Sequence, residues 1–96
     1  MALEALLLNP KDNVATAVRQ LESGQSIAVK NGANSIHIDL IHAIPFGHKF
    51  ALRDIESGEK IIKYGEVVGQ ATAKIKVGEH VHIHNVEGLR GRGDRQ

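Results

Sequence analysis

The segment Ala51-Leu-Arg-Asp-Ile55-Glu-Ser-Gly58-Glu-Lys-Ile61 decides how this chain folds, because its pattern occurs three times. In each copy an Ala is followed four residues later by Leu or Ile, then at steps of three by Gly and by Ile or Val. A Gly between two short apolar stretches is typical of a tight turn that needs positive φ. The other copies begin at Ala17 and Ala71. Each copy therefore predicts a strand, a turn and a second strand.

The rest of the chain supports a fold of short strands. Ile36-His-Ile-Asp-Leu-Ile41 alternates like another strand, and Asn31-Gly32 before it is a strong turn signal. A helix competes only in the first copy, where Val14, Ala17, Val18 and Leu21 share a helical face. We expect a small, mostly β domain of hairpins over residues 1–87, with little helix. Residues 88–96 are rich in Gly and Arg and predict a flexible tail.

Composition narrows the functional classes. The chain has 96 residues, a formal net charge of +1 and three aromatic residues, which disfavours nucleic-acid binding. It has no cysteine, which excludes disulfides and thiolate sites. The N-terminal apolar run is too short for a membrane span and lacks the basic start of a signal peptide. We expect a chain without a membrane partner, located in the cytoplasm.

Three histidines alternate in His80-Val-His-Ile-His-Asn85. On a strand they would share one face, with Val81 and Ile83 directed toward the core. Cα atoms two residues apart on a strand are separated by about 6.6 Å, so two neighbouring imidazoles could bind one ion and the outer pair could not. Histidine is the commonest metal ligand and titrates near neutral pH. The alternative interpretation is a solvated strand face that happens to carry histidine.

Two further segments carry reactive side chains. In Ile44-Pro-Phe-Gly-His-Lys49 a Pro–Gly turn displays His48 and Lys49 at the start of a strand, although a hairpin with a polar rim explains the spacing equally well. Tyr64, the only tyrosine, also lies at a turn. Its hydroxyl could donate to an oxyanion, but a ring that covers the core is the more ordinary role. His37 and His42 have no partner motif, so we expect each to be a surface residue or a core residue whose imidazole is hydrogen-bonded.

The motifs together resemble the N-terminal domain of altronate and galactarate dehydratases. The resemblance covers about residues 11 to 85. It rests on Asp12-Asn-Val-Ala15, Ile44-Pro-Phe-Gly-His-Lys-Phe-Ala-Leu-Arg-Asp-Ile55, Gly58, Ile62-Lys-Tyr-Gly65, Val68-Gly69 and Gly78-Glu-His-Val-His-Ile-His-Asn85. It implies an SAF domain with a β-clip fold. It also implies a lyase that eliminates water from a sugar acid to give a 2-keto-3-deoxy acid, with iron(II) or manganese as a divalent metal cofactor. The end of the chain resembles the junction that precedes a large catalytic domain in fused family members.

The resemblance implies a role for each matching residue. His48 and Lys49 would be catalytic, and Lys49, Tyr64 and Asn85 would bind substrate. His82 and His84 would bind the metal. The carbanion formed by removing a proton next to a carboxylate needs a metal or fixed donors to stabilise it.

These implications predict the small subunit of an altronate-dehydratase-like hydro-lyase, inactive alone and completed by a separate large catalytic subunit. One alternative is the small subunit of a sulfolactate-type lyase, which eliminates sulfite. The other is a non-catalytic SAF module that binds a carbohydrate or a partner. Exposed strand edges also allow a homo-oligomer.

Overall fold

Four tight turns with the same geometry organise the molecule. The sequence pattern, which occurs three times, predicted only three of them. The computed structural model describes residues 4–7, 9–31 and 34–88. The turns are centred on glycines with φ between 84° and 88°: Gly24, Gly47, Gly58 and Gly78. In each turn the amide of the residue after Gly donates to the carbonyl two residues before Gly, at 2.9–3.2 Å. The fourth unit runs from Leu40 through Ile44 and Gly47 to Phe50, with Leu40 where the others carry Ala.

The four units interlock in two pairs. Leu21 and Ile44 exchange both backbone hydrogen bonds in the first pair, and Ile55 and Ile75 do the same in the second. The glycine amide of each unit donates to a carbonyl at the start of its partner unit, as from Gly78 to Ala51 at 2.9 Å. Because the first pair ends at Phe50 and the second begins at Ala51, the two halves meet within one strand.

Nine strands form in the described residues, and helix is absent from them. This confirms the expected mostly β fold and decides against a helix in the first repeat. The strands are β1 Ala5–Leu6, β2 Val14–Ala17, β3 Ser26–Asn31, β4 Asn34–Asp39, β5 Lys49–Ala51, β6 Lys60–Lys63, β7 Glu66–Ala71, β8 His80–Val81 and β9 Val86–Glu87. All pairing is antiparallel, in sheets of order β1-β2-β5-β8, β3-β4 and β6-β7-β9. The predicted tail covers residues 88–96, and all of it after Gly88 lies outside the described residues.

Each half has its own apolar cluster. Alternate residues of a strand face opposite sides of a sheet, so β5 contributes Phe50 to one cluster and Ala51 to the other. The first cluster is built mainly from Ala5, Ala15, Ala17, Leu21, Ile27, Val29, Ile38, Leu40, Ile44 and Phe50. The second contains Val14, Ala51, Ile55, Ile61, Ala71, Ile75 and Val81. Side chains of Val, Ile, Leu and Ala dominate both, as the composition requires.

A buried asparagine joins two of the sheets. Asn13 is 1% exposed, and its amide donates to the Lys60 carbonyl at 2.9 Å while its Oδ1 accepts from the Ile62 amide at 2.8 Å. The neighbouring Asp12 accepts from the Gly65 amide at 2.8 Å. Buried polar groups persist when they are hydrogen-bonded. These two residues therefore fix the β6–β7 hairpin against β2.

Candidate metal-binding and active site

Three imidazoles converge at the seam between the two halves. The register of β5 and β8 pairs Lys49 with Val81 and Phe50 with His80, and one step further along places His48 opposite His82. His80 lies two residues from His82, so it projects from the same side. The first half therefore supplies one imidazole and the second half supplies two.

The rings are close enough to act together. The centroids of His48 and His82 are 4.1 Å apart and those of His48 and His80 are 5.1 Å apart, with nearly parallel planes in both pairs. His48 Nδ1 and His80 Nε2 share a hydrogen bond of 2.8 Å. One ring nitrogen from each of the three residues lies within 4.8 Å of the others. We call His48, His80 and His82 the imidazole triad.

His48 is free to join the triad because of its position in the turn. In the other three turns the residue after Gly is Gln25, Glu59 or Glu79, and its side chain accepts a hydrogen bond of 2.9–3.0 Å from the first amide of the turn. In the fourth turn His48 takes this position, and Pro45 removes the amide that would need capping. The imidazole is therefore directed to His80 instead.

A short turn after β8 holds the other two imidazoles in place. Asn85 is 3% exposed; its Oδ1 accepts from the His82 amide at 3.0 Å and its Nδ2 donates to the His80 carbonyl at 2.9 Å. Nδ2 also lies 3.4 Å from Oε2 of Glu79. The amide of Asn85, predicted to bind substrate, is thus engaged with its own chain and positions His80 and His82.

This turn overturns one expectation about the histidine segment. The strand ends at Val81, which is buried as predicted. Ile83 was expected to face the core, and this is wrong, because the chain turns at residues 82–85 and leaves Ile83 84% exposed. His84 is exposed in the turn, with its ring centroid 5.3 Å from that of His80 and tilted by 41°. It lies beside the triad and outside it.

His42 also contacts this region, which its isolated place in the sequence did not indicate. Its Nδ1 accepts from the His80 amide at 3.3 Å, although the ring is exposed. His37 is exposed on β4, as expected.

The electrostatics of the site favour neutral imidazoles at His80 and His82. Partial burial, followed by the charges of His48 and the other nearby histidines, lowers the pKa of His80 to about 4. Burial and the charges of His48 and Lys49 also lower the pKa of His82. Burial and the neighbouring Lys63 lower the pKa of Lys49. Neutral imidazole is the form that binds metals, so His80 is ready to act as a ligand at neutral pH.

A pocket of about 210 Å³ opens beside the triad. It is lined by Lys49, Val68, His82, Ile83, Val86 and Gly88. Val68 reaches it through a β-bulge: Ile61 pairs with Gly69 and Ile62 with Val67, which leaves Val68 as an extra residue in β7. A bulge redirects a side chain without ending the sheet. The pocket thus combines apolar walls with one ammonium group and one imidazole.

Tyr64 belongs to the neighbouring hairpin turn. It has a φ of 56°, an uncommon value for an aromatic residue, and is followed by Gly65 with a φ of 80°. The ring is 40% exposed, so it does not cover the core, and Lys63 Nζ lies 4.9 Å from its centroid. The structure therefore places His48, Lys49 and His82 together, whereas Tyr64 contacts Lys63.

Comparison with known proteins identifies the family of this chain. The sequence-family model described as the altronate/galactarate dehydratase SAF domain matches residues 3–89 of this chain. The chain belongs to this SAF-domain family. This confirms the resemblance carried by the sequence motifs.

Two relatives are much longer than this chain, and a third has nearly the same length. It is 40% identical to altronate dehydratase of Escherichia coli over 86% of this chain and 16% of the relative, and 35% identical to that of Bacillus subtilis over 83% and 15%. The chain thus spans about one sixth of these relatives. It is 34% identical to (2R)-sulfolactate sulfo-lyase subunit alpha of Chromohalobacter salexigens over 91% of this chain and 96% of the relative.

The described residues contain no helix that is long and apolar enough to cross a membrane.

Proposed function

We propose that this chain is the small subunit of a sugar-acid dehydratase of the altronate dehydratase type, which completes an active site with a separate large catalytic subunit. The observation that carries the proposal is the imidazole triad beside the Lys49 pocket, within an SAF domain of this family. The open pocket supports a shared site, because closed catalytic pockets bury most of their ligand and this one has few walls of its own.

We propose that the triad binds a divalent metal. Three ring nitrogens within 4.8 Å of one another suit a single ion if the rings rotate to release the His48–His80 hydrogen bond. Imidazole donors favour iron over manganese, which prefers oxygen ligands, so iron(II) fits better. When bound, such a metal would supply Lewis acidity for the charge that develops on the substrate. The metal-binding pair predicted from the sequence was His82 and His84, and only His82 belongs to this triad.

The other groups have roles that follow from charge and position. The ammonium group of Lys49 would bind the substrate carboxylate, whose negative charge grows as the neighbouring proton is removed. Val68, Ile83 and Val86 would limit water around it. His48 would be the general base if the triad binds no metal, since it is hydrogen-bonded to an imidazole that stays neutral.

The test is reconstitution with a separately expressed large catalytic chain of this dehydratase family, followed by an assay for 2-keto-3-deoxy acids from a panel of sugar acids. We expect activity from the two chains and none from either alone. His48→Ala and His82→Ala should each lower kcat at least about 100-fold, as loss of a metal ligand or general base does. His37→Ala, which changes an exposed histidine on β4, is the control and should keep full activity.

Metal analysis separates the two ligand sets. We expect His80→Gln to abolish stoichiometric metal and His84→Ala to retain it. The reverse result would favour the pair of His82 and His84. Full activity of the double variant His48→Ala/His82→Ala would refute the catalytic role of the site.

A sulfolactate-type lyase is the second candidate. It is favoured by the match to a lyase subunit of nearly the same length, 96% of which this chain covers. Release of sulfite from sulfolactate in the same reconstitution, without dehydration of sugar acids, would support it.

A further inference from the structure

The two most exposed large apolar side chains of the described residues lie beside the imidazole triad. Ile83 is 84% exposed and Phe46 is 71% exposed. Phe46 lies two residues before His48, and Ile83 directly follows His82. Since His48 lies opposite His82 in the register of β5 and β8, the Cα atoms of the two apolar residues are at most about 17 Å apart. Each half of the domain therefore contributes one exposed apolar side chain next to the site.

The fold does not require a large apolar residue at position 46. This position directly precedes the glycine of its turn, and the same position is occupied by Ser23 and Ser57 in two of the other turns. The backbone closes the turn, because the His48 amide donates to the Pro45 carbonyl at 3.0 Å. The Phe46 ring is thus held on a fixed turn that does not depend on it for stability.

Ile83 is likewise not needed by its own turn. The Asn85 amide donates to the His82 carbonyl at 3.1 Å, and the Asn85 side chain accepts from the His82 amide at 3.0 Å. Neither bond involves the Ile83 side chain, which instead forms a wall of the open pocket beside Lys49. Apolar side chains on fixed turns lose little conformational entropy on association, so both residues suit contact with another protein.

The charges of this face favour a partner other than a second copy of the chain. Lys49 lines the pocket, and burial together with the charge of Lys63 lowers the pKa of Lys49, so the two ammonium groups are neighbours. Neither lysine belongs to an ion pair within residues 4–7, 9–31 and 34–88. A symmetric dimer through this face would bring the same cations of two copies together, which is unfavourable. A different protein with acidic side chains would complement them.

We propose that Phe46 and Ile83 are the anchors through which this face docks onto the large catalytic subunit, at a surface with an apolar socket for each side chain and acidic groups opposite Lys63. The inference rests on the proposed function for the identity of the partner. The pocket is open on the side of Ile83, so a subunit that covers Ile83 also supplies the missing wall of the pocket. Docking and completion of the site are therefore the same event.

The test measures association of the complete 96-residue chain with the separately expressed large catalytic subunit by isothermal titration calorimetry. Phe46→Ser and Ile83→Ala should each weaken association at least about 20-fold, the scale of an anchor residue in an interface. Val77→Ser changes an exposed apolar residue at the equivalent position of another turn, and Ile36→Ala changes an exposed isoleucine on β4. Both controls should alter the affinity less than about twofold. Far-UV circular dichroism verifies that all four variants fold.

The salt dependence of association tests the acidic part of the surface. Association should weaken as ionic strength rises, and Lys63→Gln should reduce this dependence. Lys30→Gln removes the same charge from an exposed position on β3 and should leave the dependence unchanged. Equal salt dependence in the two lysine variants would overturn the assignment of acidic groups opposite Lys63.

The remaining outcomes separate the inference from the proposed function. Anchor variants that bind as tightly as their controls, in a pair that has lyase activity, would overturn the inference and leave the proposed function supported. A dimer of the isolated chain that Phe46→Ser dissociates in sedimentation equilibrium would also overturn the inference, because a second copy would then occupy this face. Association that depends on both anchors, in a pair without lyase activity, would support the inference and reject the proposed function.

Discussion

Gly78→Ala and Gly58→Ala form a matched pair that tests how the turns carry the fold. The two glycines occupy the same position of paired turns, with φ of 84° and 88°. An alanine in the left-handed region is destabilised by about 1–2 kcal/mol, partly offset by about 0.4–1 kcal/mol from the stiffer unfolded chain. A methyl group at residue 58 meets no atom within 4 Å, so Gly58→Ala should lower the free energy of unfolding by only about 1 kcal/mol.

At residue 78 the same methyl group meets the backbone. It would lie 2.0 Å from the Asp39 carbonyl oxygen and 3.1 Å from the Asp39 carbonyl carbon. Relief requires movement of a segment in which the Ile41 amide donates a hydrogen bond to the Gly78 carbonyl at 3.1 Å. Crowding of this kind adds about 1–3 kcal/mol, for a total near 3 kcal/mol, a large part of the roughly 5–15 kcal/mol expected of a small domain.

Urea denaturation and thermal denaturation, both followed by far-UV circular dichroism, measure both variants against the unchanged protein. Melting temperatures should fall by about 4–8 °C for Gly58→Ala and by at least about 12 °C for Gly78→Ala. Equal losses in the two variants, within about 0.5 kcal/mol, would refute the argument that close approach to Asp39 distinguishes these turns.

Three other perturbations have definite expected outcomes. Asn13→Ala removes two buried hydrogen bonds and leaves the Ile62 amide unpaired, so thermal denaturation should show that the free energy of unfolding falls by about 2–3 kcal/mol. A fall below about 0.5 kcal/mol would contradict the role of Asn13 in joining β2 to β6. Asn85→Ala should weaken metal binding at least about 10-fold in a competitive chelator assay while His84→Ala does not, because Asn85, unlike His84, is hydrogen-bonded to the backbone of both His80 and His82. Equal affinities in both variants would argue against this role of Asn85. In metal-free protein the pKa of His80 is about 4 when folded and rises toward 6.5 when unfolded, so the unfolded chain binds more protons below pH 6.5. The stability that depends on His80 should therefore be fully present above about pH 6.5 and decline toward pH 4, and the decline should be less steep in His80→Gln. Identical profiles of melting temperature against pH for the two proteins would contradict the shift.

The repeated turns could be predicted because their glycines and apolar residues have fixed spacing. The fourth unit was missed because Leu40 replaces the initial Ala and His48 replaces the Gln or Glu after Gly. The hydrogen bonds that define the unit involve the backbone, which tolerates both changes.

The candidate site was partly predictable for a related reason. Alternating histidines indicated a shared side, and the motif around Gly47 indicated a second source of ligands. The pairing of His48 with His82 depends on the register between distant strands, which residue spacing alone does not contain. Asn85 was the missed signal for the end of β8, since its side chain closes the turn that exposes Ile83.

The turn-capping position has a practical consequence for protein engineering. At residue 48 the scaffold accommodates a chemically different side chain while its main-chain turn bond remains, at 3.0 Å. Gln25 and Glu59 occupy the same position on other parts of the surface. A metal-binding side chain could replace either residue, together with a proline three positions earlier. Neither half of the domain would need to be redesigned.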